Sequence, residues 1–157
     1  MAKSIIQFKK MFFDSKEVIA ATDKAARNVL SKIGAFIRRE AKSSIKPGGR
    51  KHKTSLPGEP PRSQTGLLKR FIFFGYDKST QSVVVGPAKL GGVKGKDAPH
   101  TLEYGGSTES SSFYANKNSA RPTQRVTIAA RPFMNPALNK NLPKLPAMWA
   151  NSIKKIL

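Results

Sequence analysis

From residue 14 onward, apolar and small side chains recur at steps of three and four: Ile19, Thr22, Ala26, Val29, Ile33, Phe36, Ile37 and Ala41. That spacing lays them along one face of a helix, and Asp14 followed three residues later by Glu17 forms a capping-box start. The pattern predicts one long amphipathic helix ending near Ile45, stopped by Pro47 with Gly48 and Gly49 behind it. A basic loop bearing Pro and Gly follows, over 46–65. Leu67 to Tyr76 and Gln81 to Gly86 are rich in aromatic and β-branched residues and are predicted to be two strands of a β-hairpin, joined through Asp77, Lys78, Ser79 and Thr80. Alternation sends Phe71 and Phe73 to one side and Ile72 and Phe74 to the other, so both faces of the first strand call for a cover. The long helix can cover one; a second sheet or another subunit is left for the other.

Past the hairpin the signals shorten. Leu90 to Ala98 is rich in Gly and Lys and reads as loop, and His100 to Tyr104 fits about one helical turn after Pro99. Ser, Asn and Gly without periodicity mark 105–122 as a flexible excursion whose aromatics, Phe113 and Tyr114, are candidates for docking on a partner. Thr123 to Ala129 has the β-branched content of a third strand. Asn135 before Pro136 reads as an N-cap and first helical residue, opening a short turn to Leu142; a final helix then carries Leu145, Trp149, Ile153 and Leu157. The elements add up to an α+β fold: a long N-terminal helix packed on a small antiparallel β-sheet, with a C-terminal helix and long loops, as one domain over 1–157.

Charge changes this picture more than length does. Twenty-nine Lys and Arg stand against nine Asp and Glu, a net +20, so the chain repels copies of itself unless an anion neutralises it. The excess is uneven: 41–58 and 110–157 contain no acid at all. Hydrophobic residues at 38%, with 12 glycines besides, reach the usual globular range of roughly 45–50%. A core is therefore expected. Without cysteine there is no disulfide and no thiolate metal site, which suits a reducing compartment. The longest aliphatic or aromatic run, Phe71 to Phe74, falls far short of the roughly 20 residues that span a bilayer, so no membrane partner is expected. Lys9 and Lys10 interrupt the first residues before a signal-peptide core can form.

Candidate chemistry is sparse. His100 and Glu103 can share one face of a helical turn, but His52 is the sole other histidine, too few ligands for a structural zinc. Ser110 to Ser112 lack a base nearby in sequence, and Gly91, Gly92 and Gly95 with Lys94 and Lys96 lack the P-loop spacing. No catalytic residue, metal or cofactor is assigned, and an enzyme is not expected. The basic loop is the better candidate: Lys46, Arg50, Lys51 and Lys53, with Arg62, can track a phosphate backbone without reading bases, or meet an acidic partner.

Three strings then occur in order. They are Pro57 Gly58 Glu59 Pro60 Pro61 Arg62 Ser63 Gln64 Thr65 Gly66 Leu67 Leu68; His100 Thr101 Leu102 Glu103 Tyr104 Gly105 Gly106; and Arg131 Pro132 Phe133 Met134 Asn135 Pro136 Ala137 Leu138. In this order, after a long helix, they resemble the neck and tail-completion proteins of long-tailed bacteriophages. Read physically, Thr65 and Gly66 form a turn in which glycine takes a positive φ, Gly105 stops a helical turn, Phe133 anchors the core, and Glu103 is an acid available to pair with Lys or Arg within or between subunits. Thr65, Gly66, Leu67, Gly105, Pro132, Phe133 and Pro136 are thus the structural motif residues.

The resemblance implies a structural virion protein, assembled in the host cytoplasm, that forms a sixfold ring in the tail or neck, completes or terminates the tail, and helps join it to the capsid neck. Its partners would be copies of itself, adjacent neck and tail-tube proteins, and DNA passing without sequence specificity. Phe71, Phe73, Glu103, Tyr104, Phe113 and Tyr114 are the candidate inter-subunit contacts. The rival reading is a free nucleic-acid-binding protein using the same charge without regard to sequence.

Overall fold

The computed structural model describes residues 15–48, 54–88, 98–110 and 124–154. Helix α1 runs Ser15–Ser44 and buries Ala25, Val29, Ile33, Ile37 and Ala41, with Ile45 just past its end, at a strict spacing of four. That row is the helical face that the sequence periodicity marks, shifted by one position at Ala25. Val18 and Ile19, two turns earlier, are exposed, so the first turns of the helix project beyond the core.

The buried face lies on a hairpin formed by β3, Ile72–Asp77, and β4, Ser82–Pro87, which pair antiparallel with Phe74 opposite Val85 and Tyr76 opposite Val83. Gly34 makes the close approach possible. A Cβ there would lie 2.7 Å from the Val83 side chain and 3.1 Å from Phe74. Arg38 fixes the crossing by donating from Nε to the Ile72 carbonyl at 2.8 Å. The architecture is the α+β arrangement expected, a long helix on an antiparallel hairpin.

Three boundaries differ from the sequence reading. Leu67–Arg70 is a helical turn, α2, rather than the start of the strand, because Gly66 at φ 74° reverses the chain and the amide of Arg70 closes onto the Gly66 carbonyl. Gly106–Ser110 is a strand, β5, where a loop was expected. It pairs antiparallel with β6, Gln124–Ile128, so its backbone is satisfied across the ladder despite a sequence of small polar residues. Short parallel segments β1, Lys46–Pro47, and β2, Arg62–Ser63, pair within the basic loop.

The C-terminal region begins two residues earlier than Pro136 suggests. Helix α4 is Met134–Asn141, a 3-10 turn spans Leu142–Lys144, and α5 is Leu145–Ile153. Both α4 and α5 pack on α1. A cluster of Ile33, Ile37, Ala41, Ile45, Ile72, Phe133 and Ala137 joins helix, hairpin and α4 into one core. Lys140 bonds Glu40 at 2.6 Å across the α1–α4 boundary. No helix among the described residues is long and apolar enough to cross a membrane.

Candidate functional site: a carboxylate clamp and its outer surface

Helix α3, Ala98–Tyr104, carries Glu103 inward to 8% exposure. Its carboxylate accepts the backbone amides of Phe133 (2.8 Å) and Met134 (3.0 Å) on Oε2, and that of Asn135 (2.8 Å) on Oε1. A helix start leaves its first four amides without intrahelical partners. Phe133 is the N-cap of α4 and provides no side-chain cap, while Pro136, at the fourth position, has no N–H. One carboxylate therefore satisfies every orphan amide that this helix start possesses, and it sits at the positive end of the dipole.

This corrects two sequence expectations. Glu103 pairs with backbone rather than with Lys or Arg, and burial removes it from the surface where an inter-subunit contact would form. Asn135 is not the cap, because the cap arrives from another element.

The remaining strings close around the same point. Arg131 donates its amide to the Leu102 carbonyl at 2.6 Å and its Nε to the Ser55 carbonyl at 3.1 Å. Gly58 donates to the Ala130 carbonyl at 2.8 Å. Gly105, at φ 77°, ends α3 in the left-handed region, its amide bonded to the Thr101 carbonyl. It also lies so near the chain at Ala130 that a Cβ would come within 3.1 Å of that residue's nitrogen. Strings separated widely in sequence thus form one junction, with Phe133, 1% exposed, as its apolar centre. Pro132 is half-buried beside it and Pro136 is exposed.

Residue order does not show that Ser55, Gly58 and Arg131 meet: apart from the Arg131 Nε, their contacts run through backbone atoms, which leave no mark on residue type. His100 and Glu103 do not form a dyad: the His100 ring lies against Tyr104, centroids 4.9 Å apart, while Glu103 is engaged with α4.

On the outside, the hairpin turns Phe73 (49% exposed) and Val84 (65%) away from α1, with Gly75 and Gly86 between them. Phe71 is half-buried and meets Phe73 edge-on at 6.2 Å. Tyr104, 71% exposed, borders a groove of about 370 Å3 lined by apolar groups that include Leu30, Val85, Leu138 and Leu142. Lys46 and Arg62 face each other in the β1–β2 register and are both exposed. Thr65 Oγ1 lies 3.4 Å from the Leu67 amide, and Leu67 opens α2 as an exposed residue. Arg50, Lys51, Lys53, Phe113 and Tyr114 fall outside the described residues.

Comparison with protein-family models, with curated proteins and with solved structures gives no match.

Proposed function

We propose that the chain is a structural, non-enzymatic subunit of the head-tail junction of a long-tailed bacteriophage, completing or terminating the tail and helping to join it to the capsid neck. The observation that supports this reading is the junction itself. The three strings on which the resemblance rests meet at one place, Glu103 holding the amides of Phe133 to Asn135 while Gly58 of the first string bonds the Ala130 carbonyl and Arg131 bonds that of Ser55, just ahead of that string. Strings that serve one clamp make sense as a set, so their order along the chain carries more weight together than singly.

The outer hairpin face suits such a subunit. Phe73 and Val84 form an uncharged apolar surface on a strongly cationic chain, and repeated contacts of one surface with a different surface of the next copy close a ring when the rotation allows. Disrupting the gene in its phage, then complementing with the parent chain, tests the reading. The expected lysate without the protein holds filled heads and unjoined tails by electron microscopy, restored to virions by the parent and poorly by a Phe73→Ser, Val84→Ser double variant. Normal virions in its absence overturn the assignment.

A further inference from the structure

Of the basic residues singled out by sequence, the described surface keeps Lys46 and Arg62 and adds others from α1 and α2. Arg38 and Lys42 are one turn apart on α1, about 6 Å along the axis. Lys42 Nζ lies 3.5 Å from the Arg70 carbonyl oxygen, which brings α2 with Lys69 and Arg70 onto the same surface. From α2 the surface continues to β2, where Arg62 pairs in register with Lys46 of β1, just past the end of α1. Packing draws the Lys42 ammonium partly out of water and lowers its pKa, and the positive charges of Arg38 and Lys69 lower it further. These groups are close enough to feel one another.

What makes the cluster informative is where the acids are. Glu40, between Arg38 and Lys42 in sequence, faces away and bonds Lys140. Glu103 caps α4, Asp77 is held in the hairpin loop, Asp23 accepts from Gln81, and Glu59 turns back toward the Leu56 amide. Glu17 stands in the first turn of α1, about 37 Å from Lys42 along the helix. Every carboxylate whose side chain is described serves another place in the fold. Among the described residues, no carboxylate neutralises this surface, which leaves it open to an anion from outside.

We propose that Arg38, Lys42, Lys69 and Arg70, continued by Arg62 and Lys46, form a binding surface for the phosphate backbone of duplex nucleic acid, read without regard to base sequence. A duplex offers one charge per roughly 3.4 Å along each strand, dense enough to engage cations on a helical repeat of about 6 Å. An acidic protein partner would call for an apolar centre to its interface. Here Leu67 is the exposed apolar side chain of α2 beside the cations, and Phe73, Val84 and Tyr104 belong to the hairpin face and the groove. The proposal does not rest on the neck reading; it holds for the isolated chain.

The test is fluorescence anisotropy with a labelled 30-base-pair duplex at several salt concentrations, with poly-glutamate as the competing probe. Two triple variants with equal net charge are compared: Lys42→Gln, Lys69→Gln, Arg70→Gln on the surface, and Lys24→Gln, Lys32→Gln, Lys78→Gln elsewhere. The surface triple is expected to bind about tenfold or more weakly at 0.1 M salt, with a log K against log salt slope shallower by about 2.7, about 0.9 for each phosphate no longer neutralised. The control triple should move neither by much. A Lys69→Gln, Arg70→Gln double variant, altering two exposed side chains alone, repeats the measurement should the triple fold poorly. Equal losses from the two triples, or displacement of the duplex by poly-glutamate at equal charge, would overturn the proposal.

Discussion

The Glu103 carboxylate holds the amide of Phe133 at 2.8 Å across 30 residues of chain, and in doing so caps a helix that has no cap of its own. Its loss strands three amides at once. Charge-assisted hydrogen bonds contribute about 1.5–3 kcal/mol each and are not additive here, so Glu103→Ala should cost about 3–4 kcal/mol. Glu103→Gln should cost less, about 1–2 kcal/mol, because its carbonyl oxygen can still accept the Phe133 and Met134 amides while its NH2 faces the Asn135 amide. Urea denaturation measures both, and a loss under about 1 kcal/mol for Glu103→Ala would mean that water replaces the carboxylate without penalty.

Two glycines separate backbone conformation from close approach. Gly66 and Gly105 both have positive φ, 74° and 77°, but a Cβ at Gly66 meets nothing within 4 Å whereas one at Gly105 meets Ala130 backbone. Gly66→Ala should cost about 1–2 kcal/mol for the left-handed conformation alone. Gly105→Ala should cost at least about 1 kcal/mol more, since backbone atoms give way poorly. Equal thermal shifts in the two variants would show that the contact at Ala130 relaxes freely.

A similar pair tests the helix-hairpin contact. Gly34→Ala brings a methyl to 2.7 Å from Val83 and should destabilise by about 1–3 kcal/mol, despite the higher helix propensity of alanine. Gly75→Ala, on the open outer face, should be neutral or stabilising by up to about 1 kcal/mol. The reverse ranking in thermal melts would place the contact elsewhere.

Asp77 accepts bonds from the Ser79 hydroxyl and amide and from the Thr80 hydroxyl, and these hold its carboxyl below its ordinary value. Glu40 is likewise lowered by its bond to Lys140. A depressed pKa means that the fold prefers the ionised form. Its contribution is complete above the unfolded value, about 3.9 for Asp, and is lost as pH falls through the folded one. Asp77→Asn lacks the charge, so it should be modestly less stable than the parent near pH 7, and its decline below about pH 4 should be shallower. A decline unchanged from the parent would assign the acid sensitivity to other groups.

Much of this protein was legible in residue order. The α1 face, the hairpin, the positive φ at Gly66, the burial of Phe133 and the α+β class all follow from local spacing and residue type, because helix period, strand content and glycine freedom act over a few neighbours. The limits of α2, β5 and α4 were not legible in this way. Gly106–Ser110 lacks strand composition and becomes one through its pairing with β6, and Phe133–Asn135 becomes a helix start through a carboxylate from α3. Nor could residue order show that Phe73 faces outward while Phe74 meets Gly34, since alternation alone leaves both faces equivalent.

The sequence by itself determined the charge of +20 and the residues able to carry it. Only the tertiary structure decided which acids were already engaged and which cations stood together. That division has a physical cause: net charge is a sum over residues, whereas neutralisation depends on distances of a few ångströms between groups far apart in the chain.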